Sequence, residues 1–325
     1  MSKIIFSALL SLGLGVIFLR TGIPLLRKIK IKQPIYEYVK SHKEKNGTPT
    51  MGGLFFIISS ILTYFIFFGF LNYFAIMTVV ITLAFMCVGF LDDYLKIRFS
   101  KNQGLKAYQK IIFQLSIALL AGYFSYVNGL TLFNIPFTNK SIDLGFFTMP
   151  LICFVFVSIT NSVNLTDGLD GLASSVCVIY LIFISLICYI QPIQSGQVLI
   201  GDNYYLIGQS ACMIGGLLAF LCFNFNKASV FMGDTGSLAL GGFLGCVSIF
   251  SNNSLFILVL GFVFVMSAVS VIIQVFYFKK TKKRVFLMAP LHHHFQMKGY
   301  SEGKICYLYC LITGILGVGL VIFYL

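Results

Sequence analysis

Runs of about 20 apolar residues recur along almost the whole chain, each long enough as a helix to cross the ~30 Å hydrocarbon layer of a bilayer. No other feature limits the fold so severely. On that measure the sequence holds ten spans, at about 4–26, 52–70, 73–91, 111–127, 144–160, 171–190, 204–224, 233–250, 254–278 and 305–325. The chain of 325 residues is 58% hydrophobic and only 10% charged, whereas a soluble surface needs about 25% charged residues. An all-α polytopic membrane protein is expected, with residues 1–325 forming one integral-membrane domain free of repeats and low-complexity tracts. The first apolar stretch is too long for a cleaved signal and lacks a small-residue cleavage site, so it is read as the first span.

Basic residues set the sidedness. All but three of the 23 Lys and Arg residues fall in the loops after spans one, three, seven and nine; the exceptions are Lys3, Arg20 and Lys140. Basic loops stay in the cytoplasm, so both termini are expected on the non-cytoplasmic side. The formal charge of +13 is thereby explained by topology, with Lys279–Arg284 as a headgroup anchor, and no nucleic-acid partner is expected. The nine cysteines lie in or beside apolar runs with no metal-ligand spacing, as small buried hydrophobes do.

Against this background the polar run Asn161-Ser-Val-Asn-Leu-Thr-Asp-Gly-Leu-Asp-Gly171 stands out. An ionised Asp at the bilayer centre costs roughly 2.5–3.5 kcal/mol on insertion scales, so this stretch is expected as a loop at the membrane surface or in a wet cleft. Asp92-Asp93, the string Met232-Gly-Asp-Thr-Gly-Ser237, the string Lys45–Gly53 and Pro290-Leu-His-His-His-Phe295 map to the same cytoplasmic face. Helix packing can bring Asp92, Asp93, Asp167, Asp170 and Asp234 to one cleft. Carboxylates so gathered raise one another's pKa unless a cation is present, and Mg²⁺, which takes oxygen ligands and substrate phosphates, suits them.

Each element has a plainer reading beside the chemical one. One of Asp92 and Asp93 can pair with Lys96 while the other solvates the helix end. Asp234 can cap the eighth span, with Thr235 or Ser237 helping, or serve beside a helix N-terminus as metal ligand or nucleophile. The histidines His292, His293 and His294 diverge too much to bind one metal together. They either solvate the interface or clamp a diphosphate or sugar. From the residues alone, the chain reads as a membrane enzyme with a cytoplasmic, carboxylate-rich, Mg²⁺-dependent site suited to phosphoryl transfer from a soluble polyanion to a lipid. An ion-coupled transporter is the remote alternative; its site would lie near the midplane between repeated halves.

Five strings in order, Gly47-Thr-Pro-Thr-Met-Gly-Gly53, Gly89-Phe-Leu-Asp-Asp-Tyr94, Asn161–Leu172, Phe231-Met-Gly-Asp-Thr-Gly-Ser-Leu238 and Pro290–Phe295, resemble the phospho-N-acetylmuramoyl-pentapeptide-transferase family. That family lies within the polyprenyl-phosphate N-acetylhexosamine-1-phosphate transferase superfamily. The resemblance implies transfer of phospho-MurNAc-pentapeptide from UDP-MurNAc-pentapeptide to undecaprenyl phosphate, giving lipid I and UMP, in peptidoglycan synthesis at the bacterial cytoplasmic (inner) membrane. It further implies Asp234 as Mg²⁺ ligand, and Asp92 and Asp93 as the pair that activates the lipid phosphate or helps hold the metal. Asn164, Asp167, Asp170, Asn224, His292, His293 and His294 would line the nucleotide-sugar site, with Lys45 and Lys110 near the phosphates. A homodimer is implied by the resemblance alone. A related GlcNAc-1-phosphate transferase is the nearest alternative. Two positions depart from the family pattern: Gln296 replaces an expected Glu, removing an acidic contact, and Ala228 after Lys227 replaces an expected Pro, which should loosen the approach to Asp234.

Overall fold

A computed structural model describes residues 2–28, 47–99, 104–194, 201–225 and 227–325. Lys45 falls outside the described residues. The long helices are α1 (Ser2–Lys28), α2 (Gly53–Phe68), α3 (Tyr73–Arg98), α4 (Ala107–Val127), α5 (Thr148–Thr166), α6 (Leu172–Gln194), α7 (Asp202–Asn224), α8 (Gly233–Phe250), α10 (Phe262–Thr281) and α12 (Glu302–Tyr324). Two short helices, α9 (Ile257–Leu260) and α11 (Leu291–Met297), and two strands, β1 (Leu132–Asn134) and β2 (Ser141–Asp143), complete the order. Among the described residues nine helices are long and apolar enough to cross a membrane. This is a multi-pass, all-α membrane protein.

Four boundaries differ from expectation, each for a local reason. The second expected span becomes the 16-residue α2, about 24 Å at 1.5 Å per residue. It stops where Gly69 takes φ 65° and its N–H closes on the Phe65 carbonyl. The ninth span breaks at Gly261, which ends α9 and begins α10. The polar run begins inside a helix: α5 continues to Thr166, so only residues 167–171 form the turn before α6. Asn161 is thus a helix-packing residue, donating to Gln114 Oε1 on α4 at 2.7 Å. Finally, β1 and β2 pair as an antiparallel hairpin, Leu132 opposite Asp143, in a link where no strand was expected.

The bundle is built around α8, whose residues Thr235–Phe250 are buried without a break. Glycine makes this possible. A Cβ on Gly89 of α3 would land on the carbonyl oxygen of Asp234, and one on Gly53 of α2 would strike the Cα of Gly236. The start of α8 is also tied to the start of α2 by backbone bonds. Phe231 donates to the Pro49 carbonyl at 2.8 Å, Gly52 to Phe231 at 2.8 Å, and Gly53 to Met232 at 3.0 Å. At the opposite end Asn253, fully buried, accepts from Gln191 and Asn134, both at 3.2 Å, and Tyr324 donates to the Thr138 carbonyl at 3.1 Å. Hydrogen bonds between ends of elements therefore hold the two faces of the bundle, while apolar packing fills its middle.

The α3–α8 contact tolerates no added atom. Gly89→Ala should destabilise the protein by about 1–3 kcal/mol, the usual range for overpacking. Gly319→Ala, where a Cβ meets nothing within 4 Å, should not. Thermal midpoints of the two variants in detergent would show the difference; equal midpoints would mean that α3 and α8 separate without penalty.

Candidate functional site

Asp92 and Asp93 sit near the end of α3, buried to 0% and 3% exposure. Adjacent helical residues point about 100° apart, so the two carboxylates face different partners. Asp93 turns to α8: its Oδ2 accepts the Thr235 N–H at 2.9 Å and the Thr235 hydroxyl at 2.7 Å. Here the acid caps the first turn of α8, where the helix dipole favours negative charge. Asp92 faces α4. Its Oδ1 accepts the Leu105 N–H at 2.8 Å, and its Oδ2 meets Lys96 at 2.6 Å and Lys110 at 3.0 Å.

Asp234, in the first turn of α8, closes the group. Its Oδ1 accepts from Asn164 Nδ2 at 2.8 Å. Its Oδ2 binds Lys96 at 3.1 Å and also Lys110. Asn164 donates as well to Ser237 Oγ at 2.8 Å, and that hydroxyl donates to the Gly233 carbonyl at 3.0 Å. Carboxylate oxygens of Asp92, Asp93 and Asp234 lie within 4.8 Å of one another, close enough to hold one metal ion. The donors are hard oxygens, which suits a divalent cation that binds phosphate. With all five side chains charged, three carboxylates against two ammoniums leave a net negative site. The residues fit a cation.

A second layer joins two turns. Asn224 Oδ1 accepts the Gly171 N–H at 2.9 Å, while its Nδ2 donates to the Val230 carbonyl at 2.8 Å. Asp170 Oδ2 accepts the Ala228 N–H at 3.0 Å. Proline at 228 has no N–H, so Ala228 supplies a tie that the expected residue could not, and this departure fastens the segment before Asp234. Asp167 stands between the layers. Burial, reinforced by the negative Asp234, Asp93 and Asp170, holds its carboxyl well above the usual range.

Gly168, in the same turn, receives two of the three histidines. A Cβ there would collide with His292 and lie 3.1 Å from His293 Nε2. His292 is fully buried, with no hydrogen-bond partner at either ring nitrogen among the described residues, and burial pushes its pKa well below the usual value. It is therefore a neutral imidazole beside the turn that carries Asp167 and Asp170. His294 points elsewhere, its Nδ1 accepting the Leu287 N–H at 3.1 Å.

Of the expected residues, Asp92, Asp93, Lys110, Asn164 and Asp234 thus converge directly. Asp167, Asp170, Asn224, His292 and His293 form the adjoining wall, and His294 lies outside it. Lys96 belongs to the centre but was expected only as a partner of a helix-end acid. Its spacing, three and four residues from Asp93 and Asp92, carried that signal. Thr235 also has a larger part than a cap, since it holds Asp93 through two bonds.

Comparison with known proteins identifies the family. Residues 75–252 match the model of glycosyl transferase family 4, and residues 45–57 match phospho-N-acetylmuramoyl-pentapeptide-transferase signature 1. A phospho-N-acetylmuramoyl-pentapeptide-transferase of Caldanaerobacter subterraneus subsp. tengcongensis is 42% identical over 312 residues, covering 96% of this chain and 95% of the relative. Proteins of the same name from Clostridium novyi and from Clostridium botulinum (strain Alaska E43) are 42% and 44% identical. They cover 97% of this chain and 95% and 94% of their own lengths. With a family model spanning more than half of its length and relatives aligned almost end to end, the chain belongs to the phospho-N-acetylmuramoyl-pentapeptide-transferase family of phosphoglycosyl transferases.

Proposed function

We propose that this enzyme transfers phospho-MurNAc-pentapeptide from UDP-MurNAc-pentapeptide to undecaprenyl phosphate, releasing UMP and forming lipid I at the cytoplasmic face of the inner membrane. The observation that carries this reading is the convergence of Asp92, Asp93 and Asp234 with Lys96 and Lys110 at one end of the bundle. Basic residues close the last turns of α1 (Arg27, Lys28), α3 (Lys96, Arg98) and α10 (Lys279, Lys280), as they do at cytoplasmic helix ends. The names of the relatives supply the substrate class.

Phosphoryl transfer is chiefly a matter of positioning and of stabilising charge. Asp234, with Asp93 and Asp92 beside it, would hold Mg²⁺, which when bound neutralises charge on the diphosphate. Lys96 and Lys110 present ammoniums to the phosphates of both substrates. An oxygen of the lipid phosphate attacks the phosphorus joined to the sugar. The bond from that phosphorus to the bridging oxygen breaks, and its electron pair leaves on UMP. Asp92 is the base when the lipid phosphate arrives protonated; a phosphate monoester has its second pKa at about 6, so most of it needs none. Asn164 fixes the Asp234 carboxylate from the other side. The wall of Asp167, Asp170, Asn224, His292 and His293 takes the nucleotide-sugar.

Three measurements test this. Purified protein with Mg²⁺ and undecaprenyl phosphate should convert UDP-MurNAc-pentapeptide and leave UDP-GlcNAc untouched; the reverse preference would move the chain to the GlcNAc-1-phosphate branch. The same assay in detergent, with no vesicle lumen, should release UMP only when both substrates are present, which transport cannot do. Asp234→Asn should remain folded by size-exclusion chromatography while kcat falls at least ~100-fold, the usual scale for losing a key electrostatic contact. Near-normal turnover would reduce Asp234 to a helix cap.

A further inference from the structure

Gln114 of α4 and Asn161 of α5 form a reciprocal amide pair between the two helices. Asn161 Nδ2 donates to Gln114 Oε1 at 2.7 Å, and Gln114 Nε2 donates back to Asn161 Oδ1 at 3.4 Å. The Asn161 amide also donates to the Val157 carbonyl at 2.7 Å, which fixes the way it faces. Gln114 is fully buried. Each of the two lies one turn beneath a residue of the charge group. Lys110 stands four residues before Gln114 on α4, and Asn164 three residues after Asn161 on α5, so each couple shares a helix face. Lys110 binds Oδ2 of Asp234, and Asn164 binds its Oδ1. The two oxygens of one carboxylate are thus held from α4 and α5, and the amide pair ties those helices just below.

We propose that Gln114 and Asn161 are positioning residues that set where Lys110 stands in the site. The catalytic part of this proposal rests on the function proposed above; the placement of Lys110 does not. Towards its far end α4 meets α5 closely, where a Cβ on Gly122 would lie 3.2 Å from the Met149 carbonyl oxygen. From Gly122 to Lys110 the helix runs about 18 Å, so a tilt of about 3° at that contact moves Lys110 by about 1 Å. The amide pair, about 12 Å from Gly122, checks the tilt. Parting it would leave the buried Gln114 amide without a partner, which costs free energy wherever water is excluded. The pair is also neutral. A substrate phosphate drawn to Lys110 would loosen its ion pair with Asp234, and an uncharged tie keeps α4 in place through that exchange.

The experiment is brief acylation of the full-length protein in nanodiscs with acetic anhydride, the extent at each lysine being read by mass spectrometry. Lys110 and Lys96 are 22% and 21% exposed and share Asp92 and Asp234; the exposed Lys106 serves as reference. In Gln114→Leu, Lys110 should react at least about threefold faster relative to Lys106, the scale of one lost hydrogen bond, while Lys96 keeps its wild-type rate. Asn161→Ala should do the same, and decides the matter if Gln114→Leu fails to fold. In both, kcat for UDP-MurNAc-pentapeptide should fall about tenfold, short of the ~100-fold that a 1 Å misplacement can cost. Exchanging the partners, Gln114→Asn with Asn161→Gln, keeps the combined length of the pair. It should bring Lys110 reactivity and kcat back to within about twofold of wild type. Lys110 and Lys96 rising together would show general loosening and overturn the proposal. So would an unchanged Lys110 in the folded single variants, or an exchanged pair that restores neither quantity. Faster acylation of Lys110 with unchanged kcat would overturn the catalytic part. A wild type that leaves UDP-MurNAc-pentapeptide unconverted would overturn the proposed function, and the acylation result would still decide the placement of Lys110.

Discussion

Three carboxylates and two ammoniums share one space at the end of an apolar bundle, and neither set could be buried there without the other. Breaking a buried ion pair typically costs 3–5 kcal/mol because the survivor is left uncompensated. The positions of α3, α4, α5 and α8 all follow from meeting that demand. Asp92 and Asp93 come from α3, Lys110 from α4, Asn164 from α5 and Asp234 from α8. Each has a partner on another helix. The charge group is therefore a fastener as well as a site, and the glycines at 53, 89 and 236 are what let the helices approach closely enough to form it.

Much of this was legible in the sequence, for a reason that lies in the solvent. Hydrocarbon penalises a stray charge so heavily that Asp92, Asp93 and Asp234 announced themselves by occurring beside apolar runs at all. Nine of the expected spans, each a membrane-length helix among the described residues, were legible for the same reason, since length and hydropathy are what a bilayer selects. Element ends were less so. Asn161 and Asn164 looked like loop residues because polar side chains usually mark surfaces. They are helical because Gln114, Asp234 and Ser237 satisfy them from neighbouring helices, and no local pattern records a partner 47 or more residues away. The break at Gly261 and the β1–β2 hairpin were hidden likewise, one being a single residue between two helices and the other a pairing of two three-residue strands.

The two departures from the family pattern show how a changed residue can keep a geometry by different means. At 228 a lost proline gives back a backbone donor, which Asp170 uses. At 296 the amide that stands in place of an expected acid donates to Glu302. In both places the hydrogen-bond accounting of buried groups decides what the substitution does. Similarity of the side chain to the one expected is a poorer guide.

The shortness of α2 has a consequence for the lipid itself. Its roughly 24 Å of helix falls about 6 Å short of a typical hydrocarbon layer. A span too short for its bilayer is accommodated by drawing the two surfaces together around it. α2 starts at Gly53, against the first turn of α8, so its shortness bears on the end of the bundle that carries Asp234.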